Sequence, residues 1–159
     1  MQTIGTIGVH GTTRERFLAA LRDADVRQVL DVRQRRGVRG SEYAWANSLR
    51  LQAALAEARI DYRHEKQLAP TTELRELQYS EDDRLGVGKR SRRELAPEYA
   101  QRYVREILGQ VDLAPIVAQL PDDGIAVLLC VERDPEACHR SLIAERLAAE
   151  YSLPVTHLR

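Results

Sequence analysis

The feature that most constrains the fold is an apolar run in the last third of the chain, residues 125–131, IAVLLCV. Polar and apolar residues do not alternate in it, so both faces of the segment must be buried. A strand of this kind is typical of the middle of a parallel sheet that helices cover on both sides. Asp134, Pro135 and Glu136 follow. An N-cap residue, a proline and an acid in this order predict the start of a helix.

The rest of the chain alternates between strand and helix patterns. Strands are predicted at residues 3–9, 26–32, 59–65 and 154–158, and helices beginning near Thr12 and over residues 41–58, 97–108 and 113–120. We therefore predict one α/β domain, residues 1–159, with three layers: a mostly parallel sheet of four to five strands and helices on both faces. Right-handed crossovers place the carboxyl ends of the strands at one edge, where α/β proteins bind ligands.

Composition narrows the class of protein. A chain of 159 residues can bury a core without disulfides or a structural metal. It has two cysteines, no signal-peptide pattern and no apolar run of the ~20 residues that span a bilayer, which predicts a cytoplasmic protein without membrane association.

Basic residues cluster in two glycine-containing segments, residues 33–39 and 84–93, although the formal net charge is zero. We expect two basic loops, the second of them mobile. The residues expected to contact a nucleic acid are Arg35, Arg36, Arg39, Lys89, Arg90, Arg92 and Arg93.

Candidate catalytic groups follow the predicted strands. Cys138 lies near a predicted helix start and close to Arg140, an environment that lowers the pKa of a thiol and makes it nucleophilic. A lone cysteine is as often a small buried apolar residue, and this is our interpretation of Cys130. The candidate catalytic residues are His10, Glu132, Cys138 and His139.

Candidate anion-binding groups lie at the same predicted edge. Arg33 and Arg140 offer forked donors that suit phosphate or carboxylate, and the turn at Gly11 and Thr12 offers backbone N–H groups. The alternative role of the two arginines is structural, as ion pairs that tie strand ends to helices.

No metal or cofactor is expected from spacing. Cys130, Cys138 and His139 lack the paired spacing of zinc ligands, and adjacent side chains on a helix point apart. The glycine pattern matches no phosphate-loop or dinucleotide fingerprint.

Taken together, these segments resemble the family catalogued as domain of unknown function number 488. The similarity rests on residues 3–10, TIGTIGVH, on Asp31-Val32-Arg33 with its arginine-rich loop, on residues 62–64, YRH, and above all on residues 128–147, LLCVERDPEACHRSLIAERL. The chain departs from the family's usual loop proline at residues 35–37 and from a common Leu-Gly-Gly at residues 68–70. The resemblance implies a fold and a site, but no established reaction.

Three functional hypotheses follow. The first is an enzyme, or a degenerate enzyme, that acts on a phosphate-bearing ligand such as a nucleotide or a nucleic-acid end. The second is a non-catalytic nucleic-acid-binding module that uses the two basic loops. The third is a dimeric interaction protein with Tyr99 and Tyr103 at its interface. The expected partner is a phosphate-bearing small molecule or a nucleic acid, and the chain is expected to be a monomer or a homodimer.

Overall fold

The computed structural model describes residues 1–159 and contains five strands and six α-helices. The strands are β1 (Thr3–Ile7), β2 (Val26–Asp31), β3 (Asp61–His64), β4 (Ile125–Leu129) and β5 (Val155–His157). The helices are α1 (Arg14–Asp23), α2 (Ser48–Glu57), α3 (Thr72–Leu85), α4 (Pro97–Tyr103), α5 (Ala114–Ala118) and α6 (His139–Tyr151). A π-helical segment, Val104–Leu108, continues α4. None of the helices combines the length and the apolar character that crossing a bilayer requires.

The five strands form one sheet in the order β3-β2-β4-β1-β5, and every neighbouring pair is parallel. The apolar run supplies β4, the central strand, and four of its five residues are buried. A continuous apolar strand therefore lies where both of its faces are covered, and the predicted three-layer α/β fold is confirmed.

Two separate cores fill the spaces above and below the sheet. On one side, Val127 and Leu129 of β4 pack with Phe17 of α1 and Leu55 of α2. On the other side, alternate residues of β4 and β2 pack with α3, α4, α5 and α6. The alternation along β4 is the period of two that a strand imposes on its side chains.

Several element boundaries differ from the predicted ones. Thr13, not Thr12, caps α1, because its Oγ1 accepts a hydrogen bond from the backbone N–H of Arg16 at 3.3 Å. The helix predicted over residues 41–58 is broken at Asn47, between a 3₁₀ helix at Ser41–Ala46 and α2. Asn47 is extended there, and its side chain accepts a hydrogen bond from Val38 N at 2.8 Å, which holds the first basic loop.

The helix predicted to start at residues 134–136 also begins later. Pro135–Ala137 forms a 3₁₀ helix, Cys138 is extended, and α6 starts at His139. Cys138 is thus the N-cap residue of α6, and this position determines how its side chain meets its neighbours.

Candidate functional site

The loops that leave β2 and β4 form the floor of a crevice at the carboxyl edge of the sheet. Asp31 and Leu129, the last residues of these strands, are register partners. The crevice has about 480 Å³ of empty space, a figure that includes the open solvent at its mouth. The floor side chains are Arg33, Cys130, Val131, Glu132 and His139.

Cys130, Cys138 and His139 form a buried cluster beside this floor. His139 Nδ1 lies 3.6 Å from Cys138 Sγ and 3.9 Å from Cys130 Sγ. The opposite ring nitrogen, Nε2, is 2.8 Å from the carbonyl oxygen of Val32, to which it donates its proton. The expectation that Cys138 and His139 point apart is wrong, because Cys138 precedes the helix with φ −141° and ψ 148°. The fold therefore brings together three residues whose spacing gave no sign of a cluster.

The two thiols differ in their environment. Cys138 is 2 % exposed and does not line the crevice, whereas Cys130 does. A hydrogen bond with Cys138 and burial together raise the pKa of the Cys130 thiol well above its ordinary value. Cys138 Sγ accepts a hydrogen bond from the backbone N–H of Arg140 at 3.5 Å, so this sulfur lies at a helix N-terminus, where the sequence placed it, but shielded from solvent.

A second buried network surrounds Glu132. Its Oε1 lies 3.0 Å from Arg92 Nη2 and 3.9 Å from Lys89 Nζ, while Oε2 is buried without a partner. Burial alone would raise the pKa of Glu132, but the charges of Lys89 and Arg92 outweigh it and lower the pKa to about 2. Arg92 also pairs with Asp82 and donates from Nε to the carbonyl of Ala137. Arg92 is therefore a buried tie between α3 and the floor, not a residue of an open loop.

Arg33 and Arg140 are also buried at the carboxyl edge. Arg33 donates from Nε and Nη2 to the Asp31 carboxylate, both at 2.8 Å, and from Nη1 to the carbonyl of Ala46 at 2.9 Å. Arg140 donates from Nη1 to the carbonyl of Glu132 at 2.7 Å and from Nη2 to that of Arg133 at 3.0 Å. Arg33 lines the crevice and Arg140 does not. The contacts of both guanidinium groups are those of structural ties.

The turn after β1 lies near the mouth of the crevice. The backbone N–H groups of His10 and Thr12 donate to the carbonyls of Val131 and Val9, and that of Gly11 donates to the hydroxyl of Tyr43. All three backbone N–H groups therefore donate within the protein, and none is left to bind an anion. The His10 ring packs against Tyr43 with centroids 5.2 Å apart, and burial lowers the pKa of His10 to about 4.

The two basic loops touch each other above the crevice. The Arg90 guanidinium lies 5.1 Å from the Tyr43 ring centroid and donates to the carbonyl of Arg39 at 3.0 Å. Next to the first crevice and sharing several of its residues is a wider depression lined by His10, Arg35, Arg39, Arg75, Lys89 and Arg90. Arg36 lies apart from this set and contacts the Tyr62 hydroxyl, and Arg93 lines a neighbouring depression with Arg133.

Arg75 and Cys130 are crevice residues that the sequence did not assign to the site, and the expected positions of Tyr99 and Tyr103 are wrong. Arg75 of α3 lines the crevice and lies over the Tyr79 ring, but in sequence it belongs to an ordinary charged helix. Cys130 was interpreted as structural alone. Tyr99 and Tyr103, the expected dimer interface, are 4 % and 0 % exposed, so neither is open to a partner surface. Tyr103 donates a hydrogen bond to the carbonyl of Leu68 inside the protein.

Comparison with known proteins supports the resemblance found in the sequence. A family model described as Domain of unknown function DUF488 matches residues 13–147. No curated protein and no solved structure matches the chain significantly. The matched residues include the Cys130, Cys138 and His139 cluster and both basic loops. The chain therefore belongs to the family of domain of unknown function DUF488.

Proposed function

We propose that this protein binds a phosphate-bearing ligand, such as a nucleotide or a nucleic-acid end, in the crevice at the carboxyl edge of the sheet. The observation that carries the proposal is the convergence of Arg35, Arg75 and Lys89, from three separate segments, on one crevice. Glu132 is the single acidic side chain in its lining, and it pairs with Arg92 and Lys89, whereas Arg35 and Arg75 pair with no acidic side chain. An anion entering the crevice therefore meets a net positive field.

No carboxylate neutralises the guanidinium groups of the rim arginines. Arg35, Arg39 and Arg75 form no ion pair with an acidic side chain. Arg75 contacts only neutral side-chain groups, the Gln34 amide and the Tyr79 hydroxyl. A guanidinium held by neutral partners keeps its charge and its forked geometry for a phosphate. These groups, rather than Arg33 and Arg140, are our assignment for the anion contacts.

An enzyme built on this site would act with groups on the crevice floor. Cys130, His139 and Glu132 line it, and a ligand phosphate at the rim would lie beside them. Cys138 would act only through His139, because its sulfur contacts that ring and does not face the crevice.

The contact between the two basic loops also favours a longer ligand. Because Arg90 donates to the Arg39 carbonyl, the basic side chains form one continuous surface that extends beyond the crevice. A nucleic-acid strand whose end enters the crevice could run across this surface. Such a complex would weaken steeply with added salt, whereas a small nucleotide held by a few contacts would weaken less.

Isothermal titration calorimetry tests the proposal with three probes: pyrophosphate, ATP and a 5′-phosphorylated oligonucleotide. Arg35→Gln and Arg75→Gln should each weaken binding about 10-fold or more, the effect of losing one charge-assisted hydrogen bond. Arg50→Gln is the matched control, because Arg50 is exposed on α2, on the opposite face of the sheet. The proposal fails if the wild type binds none of the probes, or if the crevice variants bind like the control.

A salt titration separates the two ligand classes. For the oligonucleotide, the slope of log affinity against log salt should fall by about one for each removed phosphate contact. A slope unaffected by Arg39→Gln and Arg90→Gln would confine the ligand to the crevice.

A further inference from the structure

We propose that Cys130, Cys138 and His139 bind a thiophilic divalent metal ion of the Zn²⁺ class, with a fourth coordination position that faces the crevice. The ligand atoms are the two Sγ atoms and His139 Nδ1, and all three lie within 4.8 Å of one another. This inference stands apart from the proposed anion site, because it concerns different side chains and needs no phosphate-bearing ligand.

The distances fit tetrahedral coordination. With Zn–S bonds of about 2.3 Å and a Zn–N bond of about 2.0 Å, tetrahedral angles separate sulfur from nitrogen by about 3.5 Å. The observed separations from His139 Nδ1 are 3.6 Å to Cys138 and 3.9 Å to Cys130. A neutral thiol that donates a hydrogen bond to an imidazole nitrogen lies at a similar distance. The lone pair of that nitrogen, however, accepts such a bond from one sulfur at a time. Here two sulfurs approach the same nitrogen, and all three atoms lie within 4.8 Å of one another, as three ligands of one ion would.

Contacts around the ligands already fix their orientation. The Nε2–H of His139 donates to the carbonyl of Val32 at 2.8 Å, which leaves the Nδ1 lone pair directed at the sulfurs. Metal-binding histidines usually make this type of hydrogen bond with the nitrogen that does not bind the metal. The Arg140 backbone N–H points at Cys138 Sγ from 3.5 Å and would stabilise a thiolate. The hydrogen bonds that orient these side chains without a metal are therefore the ones that a metal site requires.

The charge balance and the position of the cluster also suit a metal. Two thiolates and a neutral imidazole cancel the charge of a divalent ion, which matters because the three residues are at most 6 % exposed. Cys130 and His139 line the crevice while Cys138 lies behind them, so three protein ligands would leave one position open to a water molecule or a ligand oxygen. Glu132, whose Oε2 has no partner, lines the same crevice and can accept a hydrogen bond from such a water.

Cobalt substitution is the direct test. Reduced protein freed of metal with a chelator is titrated with Co²⁺, and bound metal is counted by mass spectrometry. We expect one ion per chain, the intense visible bands of tetrahedral Co²⁺, sulfur-to-cobalt charge-transfer absorption, and displacement by Zn²⁺. Cys130→Ser, Cys138→Ser and His139→Gln should each abolish the charge-transfer signal or weaken binding at least 10-fold. His157→Gln, an exposed histidine on β5, is the control that should bind like the wild type.

A second measurement needs no variant, since the ligand substitutions are in the core. In the wild type, Zn²⁺ should raise the melting temperature and protect both thiols from alkylation. Absence of stoichiometric binding by the wild type overturns the proposal, as does an octahedral cobalt spectrum. A Cys130–Cys138 disulfide that forms in air and persists in the presence of Zn²⁺ would also overturn it. None of these outcomes bears on the anion site, which calorimetry on metal-free protein measures separately.

Discussion

Replacing Arg92 by methionine should remove the counter-charge of buried Asp82 and one of the two counter-charges of buried Glu132. The Arg92 side chain is 5 % exposed, and its partners Asp82 and Glu132 are 5 % and 9 % exposed. Breaking a buried ion pair by removing one partner costs about 3–5 kcal/mol. The lowered pKa of Glu132 accounts for part of this cost: the shift from 4.5 to about 2 corresponds to about 3 kcal/mol of stability at neutral pH, and Arg92 supplies it together with Lys89, which remains in the variant. For a domain with about 5–15 kcal/mol in total, this is a large fraction.

The loss should also depend on pH. A carboxyl group whose pKa is lowered by folding stabilises the protein above its unfolded pKa, and this contribution disappears as the pH falls through the folded value. For Glu132 the window runs from 4.5 down to about 2. In Arg92→Met the pKa of Glu132 rises and this contribution shrinks. The difference in stability between wild type and variant should therefore be greatest at neutral pH and decrease below about pH 4.5.

Urea unfolding measures both effects, with the fluorescence of Trp45, the single tryptophan, as the signal. Arg93→Met is the matched control, because Arg93 is the adjacent arginine and is exposed. Neutralising the partners as well, with Asp82→Asn and Glu132→Gln, should restore part of the lost stability. A loss under about 1 kcal/mol for Arg92→Met, or one that does not change with pH, would refute the reasoning.

Three further predictions follow from other parts of the site. Gly8→Ala should destabilise the protein by about 2 kcal/mol or more in urea unfolding, because its new Cβ would lie 2.0 Å from a backbone oxygen. Gly37→Ala, with nothing nearer than 3.8 Å, should cost little, and equal losses would contradict the argument. Alkylation followed by mass spectrometry should modify Cys130 before Cys138 in the metal-free native protein, since only Cys130 lines the crevice. A faster Cys138 would mean that its surroundings open in solution. Because burial lowers the pKa of His10 to about 4, protonation favours the unfolded chain, and stability should fall as the pH drops from 6.5 toward 4. His10→Gln should flatten this part of the pH profile.

The sheet could be predicted from sequence because its evidence is local. The run of residues 125–131 has apolar side chains at every position, and a strand is the short element that buries such a run on both faces. The helix boundaries were less predictable where a side chain serves a distant partner. Asn47 ends a helical turn because its amide holds Val38, and no pattern around residue 47 contains that information.

The site was predictable in location but not in its contacts. Strand ends and crossovers place His139 and Glu132 at one edge, as parallel α/β topology requires. The roles of the arginines depend on partners far along the chain. Arg92 lies among glycines and like charges, which predict an open loop. It is buried instead, because it pairs with Asp82 and with Glu132, 40 residues away in the sequence. No sequence pattern around Arg75 distinguishes it from an arginine on the exposed face of a helix.

The central position of β4 has a consequence for synthesis of the chain. In the sheet, β1 pairs only with β4 and β5, so β1 has no neighbour until residues 125–129 emerge from the ribosome. Until then β1 and β2 both keep an unpaired, apolar edge, the kind of surface through which incomplete chains associate. Folding of this sheet during translation therefore waits for β4, and nascent chains that stop before residue 125 should depend on chaperones to remain dispersed.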